Sequence, residues 1–164
     1  MKCELKKIEE LSGRRTSVYS VLIDDSELTL FDIFIEENRD SHLSEIKDMV
    51  QRLKIIGTKT GAREQFFKLH EGNPGDGVCA LFDLPDKNLR LYCIRYNTQI
   101  IILGGGGIKL VRAFQQDSKL TKENYLLREL SKQITGRIKE KDIRFSEDGN
   151  DFEGDFAFNL NIDQ

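Results

Sequence analysis

Three apolar runs crowd into the middle of the chain, Val78-CALFDL, Leu89-RLYCIRY and Gln99-IIILG, with only Pro85-DKN and Asn97-Thr98 between them. Runs this short, bounded by turn formers and spaced this closely, leave room only for strands that reverse on themselves, so an antiparallel meander is expected. The third run ends in four glycines, Gly104 to Gly107, followed by Lys109 and Arg112. A phosphate-binding P-loop needs GxxxxGK and then Ser or Thr, so that amides and a lysine surround the phosphates while a hydroxyl holds magnesium; that pattern is absent. A dinucleotide fingerprint, counted from Gly104, would need its last glycine where Lys109 stands. The glycines are therefore expected to form a strand-end bend or bulge that places Lys109 near the sheet.

Elsewhere the periodicities name the elements. Alternation around Cys3 to Leu11 and over Ser17 to Ile23, broken by Ser12-Gly13, predicts an N-terminal hairpin. Leu28 to Glu36 fits a strand or a first helical turn equally well. Leu43, Ile46, Val50 and Leu53 recur at helical spacing, with Ser41 as N-cap and Gly57 as stop. Thr121 is the expected cap of a second helix carrying Leu126, Leu130 and Ile134. Near the end, Asp142-IRFS is expected to pair with Asp155-FAFNLNI, where Phe156, Phe158, Leu160 and Ile162 alternate with polar residues. The sum is a single α+β domain over residues 1–164. Its central antiparallel or mixed sheet packs against helices near 41–56 in the N-terminal half and 121–135 in the C-terminal half.

Composition narrows the function classes. With 38% hydrophobic and 32% charged residues the chain belongs with globular proteins rather than disordered ones. No apolar run approaches a membrane span, and MKCELKKIEEL lacks the apolar centre of a secretory signal, so a cytoplasmic protein with no membrane partner is expected. Cys3, Cys79 and Cys93 form no CxxC pair, which points to reduced, buried thiols rather than a metal site. The net charge of -3 conceals an uneven distribution: residues 1–50 carry -5, 51–115 carry +5 and 116–164 carry -3. Only the middle third has the sign that attracts phosphate.

Within that third, alternation puts Arg90 and Tyr92 on one face of their strand and Arg95 on the other. The order of helix, Phe66-FKLHEG, Val78-CALFDL, Leu89-RLYCIRY and Ile100-IILGGGGIK resembles toxins of the RelE/ParE superfamily. The similarity is greatest to the phage-derived host-killing-protein branch, in which a helical hairpin precedes comparable segments in the same order. The resemblance covers about residues 40–135, leaving a strand extension over 1–38 and a hairpin extension over 142–164. It implies a RelE-like core and a metal-independent endoribonuclease without cofactor, acting on mRNA, often on the ribosome, and restrained by a cognate antitoxin. It also implies roles: Arg90 as phosphate clamp, Lys109 in transition-state stabilisation, Tyr92 in stacking or proton transfer, and Arg112, Lys68, His70 and Arg95 toward RNA. Such chemistry needs no metal, because guanidinium and ammonium groups can hold the phosphate while a tyrosine, histidine or lysine moves protons. His70 reads equally as a surface residue beside Glu71.

The alternative is a non-catalytic protein-binding module on the same fold. Convergence of Arg90, Lys109 and Arg112 on one open basic face favours the nuclease, whereas pairing of those cations with carboxylates favours the binding module. The acidic tail from Ser146 is expected to be a solvated face rather than a competitor for the basic surface.

Overall fold

The computed structural model describes residues 1–84, 86–109 and 113–162, with 113–117 described by their backbone alone. The meander forms as the sequence predicts. Strands β4 (Val78–Leu81), β5 (Leu89–Tyr96) and β6 (Ile100–Ile108) pair antiparallel in chain order, and the two-residue β3 (Phe67–Lys68) extends the sheet beyond β4. The N-terminal hairpin also forms, from β1 (Lys2–Lys7) and β2 (Ser17–Ile23). It joins the other side of β6, with β2 parallel to β6 through Ser17 opposite Ile100 and Tyr19 opposite Ile102. With β9 (Ala157–Asn159) added outside β1, the order is β3-β4-β5-β6-β2-β1-β9, a mixed seven-stranded sheet.

Helices cover both faces. On one lie α1 (Leu30–Asn38) and α2 (Leu43–Ile55), whose Phe31, Phe34, Ile46, Met49 and Leu53 pack on Ile101, Leu103, Leu91 and Cys93. On the other, α3 (Ala113–Lys139) and the small hairpin of β7 (Ile143–Phe145) and β8 (Phe152–Gly154) pack on Ile100, Ile102, Ile94 and Tyr19. Burial from both sides explains why Ile100-IIL is apolar throughout instead of alternating.

One open choice is settled and three local expectations are corrected. LTLFDIFIE is a helix because Thr29 and Asp32 form a capping box: Asp32 N donates to Thr29 Oγ1 at 3.1 Å and Thr29 N donates to Asp32 Oδ2 at 3.0 Å. Ser41 does not cap α2, since His42 holds that position and the Ser41 hydroxyl bonds to His42 Nδ1 at 2.9 Å. Gly57 does not end α2 either; the chain winds on through a π-helical turn, Ile56–Thr60, to Gly61 at φ 79°. Helix α3 begins well before Thr121, because AFQQDSKL contains no glycine or proline to stop it.

At the C-terminus, Ile143–Phe145 pairs with Phe152–Gly154, not with the alternating segment after it. The turn at Glu147 to Asn150, with Gly149 at φ 78°, closes a tighter hairpin. Of the alternating residues, Phe158 lies in β9 at the main sheet's edge, and it and Leu160, just beyond the strand, are buried. Asp151 fastens the hairpin to the sheet: it lies 2.9 Å from Lys7 Nζ and accepts hydrogen bonds from the Ser17 and Tyr19 hydroxyls, while Phe152 N donates to the Tyr19 oxygen.

The glycine run is no bend beyond a strand but the last part of β6, and the expected bulge forms within it. All four glycines lie within β6, buried, and the register between β5 and β6 slips there, Leu91 facing Gly106 while Cys93 faces Leu103. The slip is a β-bulge, and it turns three glycines toward α3. A Cβ on Gly104 would stand 2.9 Å from Leu127, one on Gly105 would strike the Glu123 carboxylate, and one on Gly107 would stand 3.2 Å from Lys119. A Cβ on Gly106 would fall on the carbonyl oxygen of Arg90.

Gly106→Ala should therefore lower stability by about 2 kcal/mol or more, through a clash with backbone that cannot move aside. Gly136→Ala, on α3 where an added methyl meets nothing within 4 Å, should raise it by about 0.5–1 kcal/mol. Thermal unfolding of the two variants should move the midpoint in opposite directions. A third expectation concerns acid. Burial alone would raise the Asp151 carboxyl, but Lys7, Ser17 and Tyr19 together hold it below its ordinary value. A lowered folded value means stabilisation that is complete above the ordinary carboxylate range, near pH 4, and is lost as pH falls through the lowered value. Asp151→Asn should flatten that acid limb in a stability-against-pH series.

Candidate polar cleft on the sheet

Strand β5 delivers Arg90 and Tyr92 to the α3 side, beside Ile94 of the same core. Opposite them, Thr121, Asn124, Tyr125 and Arg128 line one flank of α3, and Glu71 closes the end. The result is a polar cleft of about 320 Å³. One network shapes it. Asn124 Nδ2 donates to the Glu71 carbonyl at 2.9 Å, Arg128 Nε donates to Asn124 Oδ1 at 2.6 Å, and Arg128 Nη2 donates to the same carbonyl at 3.1 Å. The Arg128 guanidinium also lies 4.9 Å from the centre of the Tyr125 ring, in a cation–π contact.

Tyr92 shares the cleft's lining with Arg90 and Asn124. Burial raises its pKa, an effect only partly offset by Arg90, so at neutral pH Tyr92 is a proton and hydrogen-bond donor and not a base.

The cations expected to converge do so in part, but on a carboxylate. Asp83, just beyond β4, has a side chain only 6% exposed. Its Oδ2 lies 2.6 Å from Lys109 Nζ, a charge contact whose angles fall outside hydrogen-bonding geometry, and 3.7 Å from Arg90 Nε. Lys109 Nζ further donates to the Leu84 carbonyl at 3.3 Å, and its backbone N–H donates to the Asn88 carbonyl at 2.6 Å. Lys109 thus pins the β4–β5 connection, while Arg90 serves both Asp83 and the cleft.

The remaining candidates divide by face. Lys68 is opposite Ala80, which is opposite Tyr92, so exposed Lys68 stands on the cleft's side of the sheet. His70 is exposed with φ 63°, next to Glu71 at the cleft's end. Arg95 points to the opposite face, where Nε donates to the Ala62 carbonyl at 2.6 Å and Nη1 lies 4.0 Å from Glu64. Arg112 lies outside the described residues.

Sequence reading missed Asn124, Tyr125 and Arg128. Their spacing from Thr121, at i+3, i+4 and i+7, is the helical signature of one flank, and it lies beside the buried stripe of Leu120, Leu127, Leu130 and Ile134. Asp83 carried no signal, because its partners lie on other strands. No family model, no curated protein and no solved structure matches the chain. No helix among the described residues is long and apolar enough to cross a membrane.

Asp83→Asn should leave two largely buried cations side by side without their anion. The expected cost is on the order of 3 kcal/mol, read as a lowered unfolding midpoint. The same variant should bind a polyanion such as heparin more tightly than the wild type in low salt, and the difference should vanish as salt rises.

Proposed function

We propose that the chain is a RelE/ParE-like toxin that cleaves mRNA without a metal, with the polar cleft as its RNA site. The observation that carries the reading is the meeting of two guanidiniums, a protonated phenol and an amide side chain in one cleft on the sheet. Arg90 clamps the phosphate, and Arg128 adds positive charge from across the cleft. As the neighbouring 2′-oxygen attacks phosphorus it gives its proton to solvent water, the bond from phosphorus to the 5′-oxygen breaks, and Tyr92 donates its proton to that departing oxygen and regains one from water. Lys68, exposed on the same side, extends the basic path for the strand, with exposed His70 beside Glu71 at the cleft's end. The order of elements supports the reading: α2, then β3 and the antiparallel β4, β5 and β6, with the glycines in the last part of β6. On this reading the physiological partners are mRNA, with or without the ribosome, and a cognate antitoxin.

A second reading, a protein-binding module without catalysis, is favoured by one specific observation. Asp83 takes Lys109 out of reach of a substrate and shares Arg90, as expected of cations with a structural task. The two readings separate in one experiment. Purified protein is incubated with single-stranded RNA in EDTA, alone and with programmed ribosomes, beside an Arg90→Ala variant. Cleavage to products ending in a 2′,3′-cyclic phosphate, reduced about a hundredfold in the variant, is the expected result. RNA left intact under both conditions ends the nuclease reading and leaves the binding module.

A further inference from the structure

We propose that Tyr125, backed by Arg128, is a stacking platform that seats one base of single-stranded RNA at the mouth of the cleft. This rests on the RNA reading above and adds to it a residue that selects unpaired nucleotides.

Tyr125 is 56% exposed although it stands on α3 between the buried Asn124 and the packed Leu126. An aromatic ring left open to solvent is ordinary by itself. This one is held in place. The Arg128 guanidinium covers the ring at 4.9 Å, and it is itself tied to Asn124 Oδ1 and the Glu71 carbonyl. A ring restrained in this way loses little freedom when a ligand covers it, so stacking keeps more of its intrinsic strength. The platform also borders the lining that contains Arg90 and Tyr92. A phosphate at Arg90 and its neighbouring base on Tyr125 would span the cleft, whose 320 Å³ is at the small end of ligand pockets and suits one unit of a polymer. Base-paired RNA cannot use such a seat without breaking a pair, because its bases are already stacked.

The test is fluorescence anisotropy with a short dye-labelled single-stranded RNA and with the same strand annealed to its complement, at low salt. The wild type should bind the single strand more tightly than the duplex. Tyr125→Ala should weaken single-strand binding about tenfold and leave duplex binding unchanged, whereas Tyr125→Phe, which keeps the ring, should behave as wild type. The exposed position predicts an unaltered unfolding midpoint for both variants. Single-strand binding that survives Tyr125→Ala, while Arg90→Ala abolishes it, overturns the platform and leaves the RNA reading standing. A wild type that binds neither RNA overturns both.

Discussion

The contact between α3 and the glycine segment of β6 is the constraint around which the molecule is arranged. Backbone without side chains lets Lys119, Glu123 and Leu127, one turn apart along α3, lie directly on Gly107, Gly105 and Gly104. The helix is thereby seated close to the sheet, and its neighbouring flank of Thr121, Asn124, Tyr125 and Arg128 stands over the start of β5. The bulge that creates this seat also shifts the register of β5 against β6 between Leu91 and Cys93, next to Tyr92. The question raised by the four glycines thus has a packing answer. They admit a helix, and the helix builds a cleft with residues of the adjacent strand.

The cleft's electrostatics follow from what is buried beside it. Arg90 and Lys109 are each less than a fifth exposed, and charges so placed require an anion. Asp83 supplies it, with two cations to one carboxylate, so the group keeps a net positive charge while being internally compensated. Arg128 is different. It is held by a carbonyl, the amide oxygens of Asn124 and Asn73, and an aromatic face, none of which cancels its charge. The positive character facing the cleft therefore comes as much from α3 as from the strands.

The parts of the fold that were legible in sequence are those set by local pattern. The meander, the N-terminal hairpin and the two longer helices follow from periodicity and turn residues. Where the pattern was read too locally, the boundaries moved: Thr121 looked like a cap but lies inside α3, and Gly57 looked like a stop but sits where the chain touches the Leu11 carbonyl. The parallel pairing of β2 with β6 links residues more than eighty positions apart and leaves no local trace. The site divides in the same way. Alternation along Leu89-RLYCIRY placed Arg90 and Tyr92 on one face and Arg95 on the other. Asp83's hold on Lys109 and the use of α3's polar flank depend on how separate elements meet, and no spacing within one segment encodes that.

Strand β6 has a further consequence, for the order in which the chain can assemble. It is the strand on which the meander and the N-terminal hairpin both lean, yet it is the last of these to leave the ribosome. Until residue 108 has been made, β2 has no inner neighbour, and the outer side of β1 waits longer still for β9. Open strand edges of this kind attract other chains. Lys2, Glu4 and Lys6, the exposed residues of β1, supply the charge that discourages such pairing while the chain is incomplete.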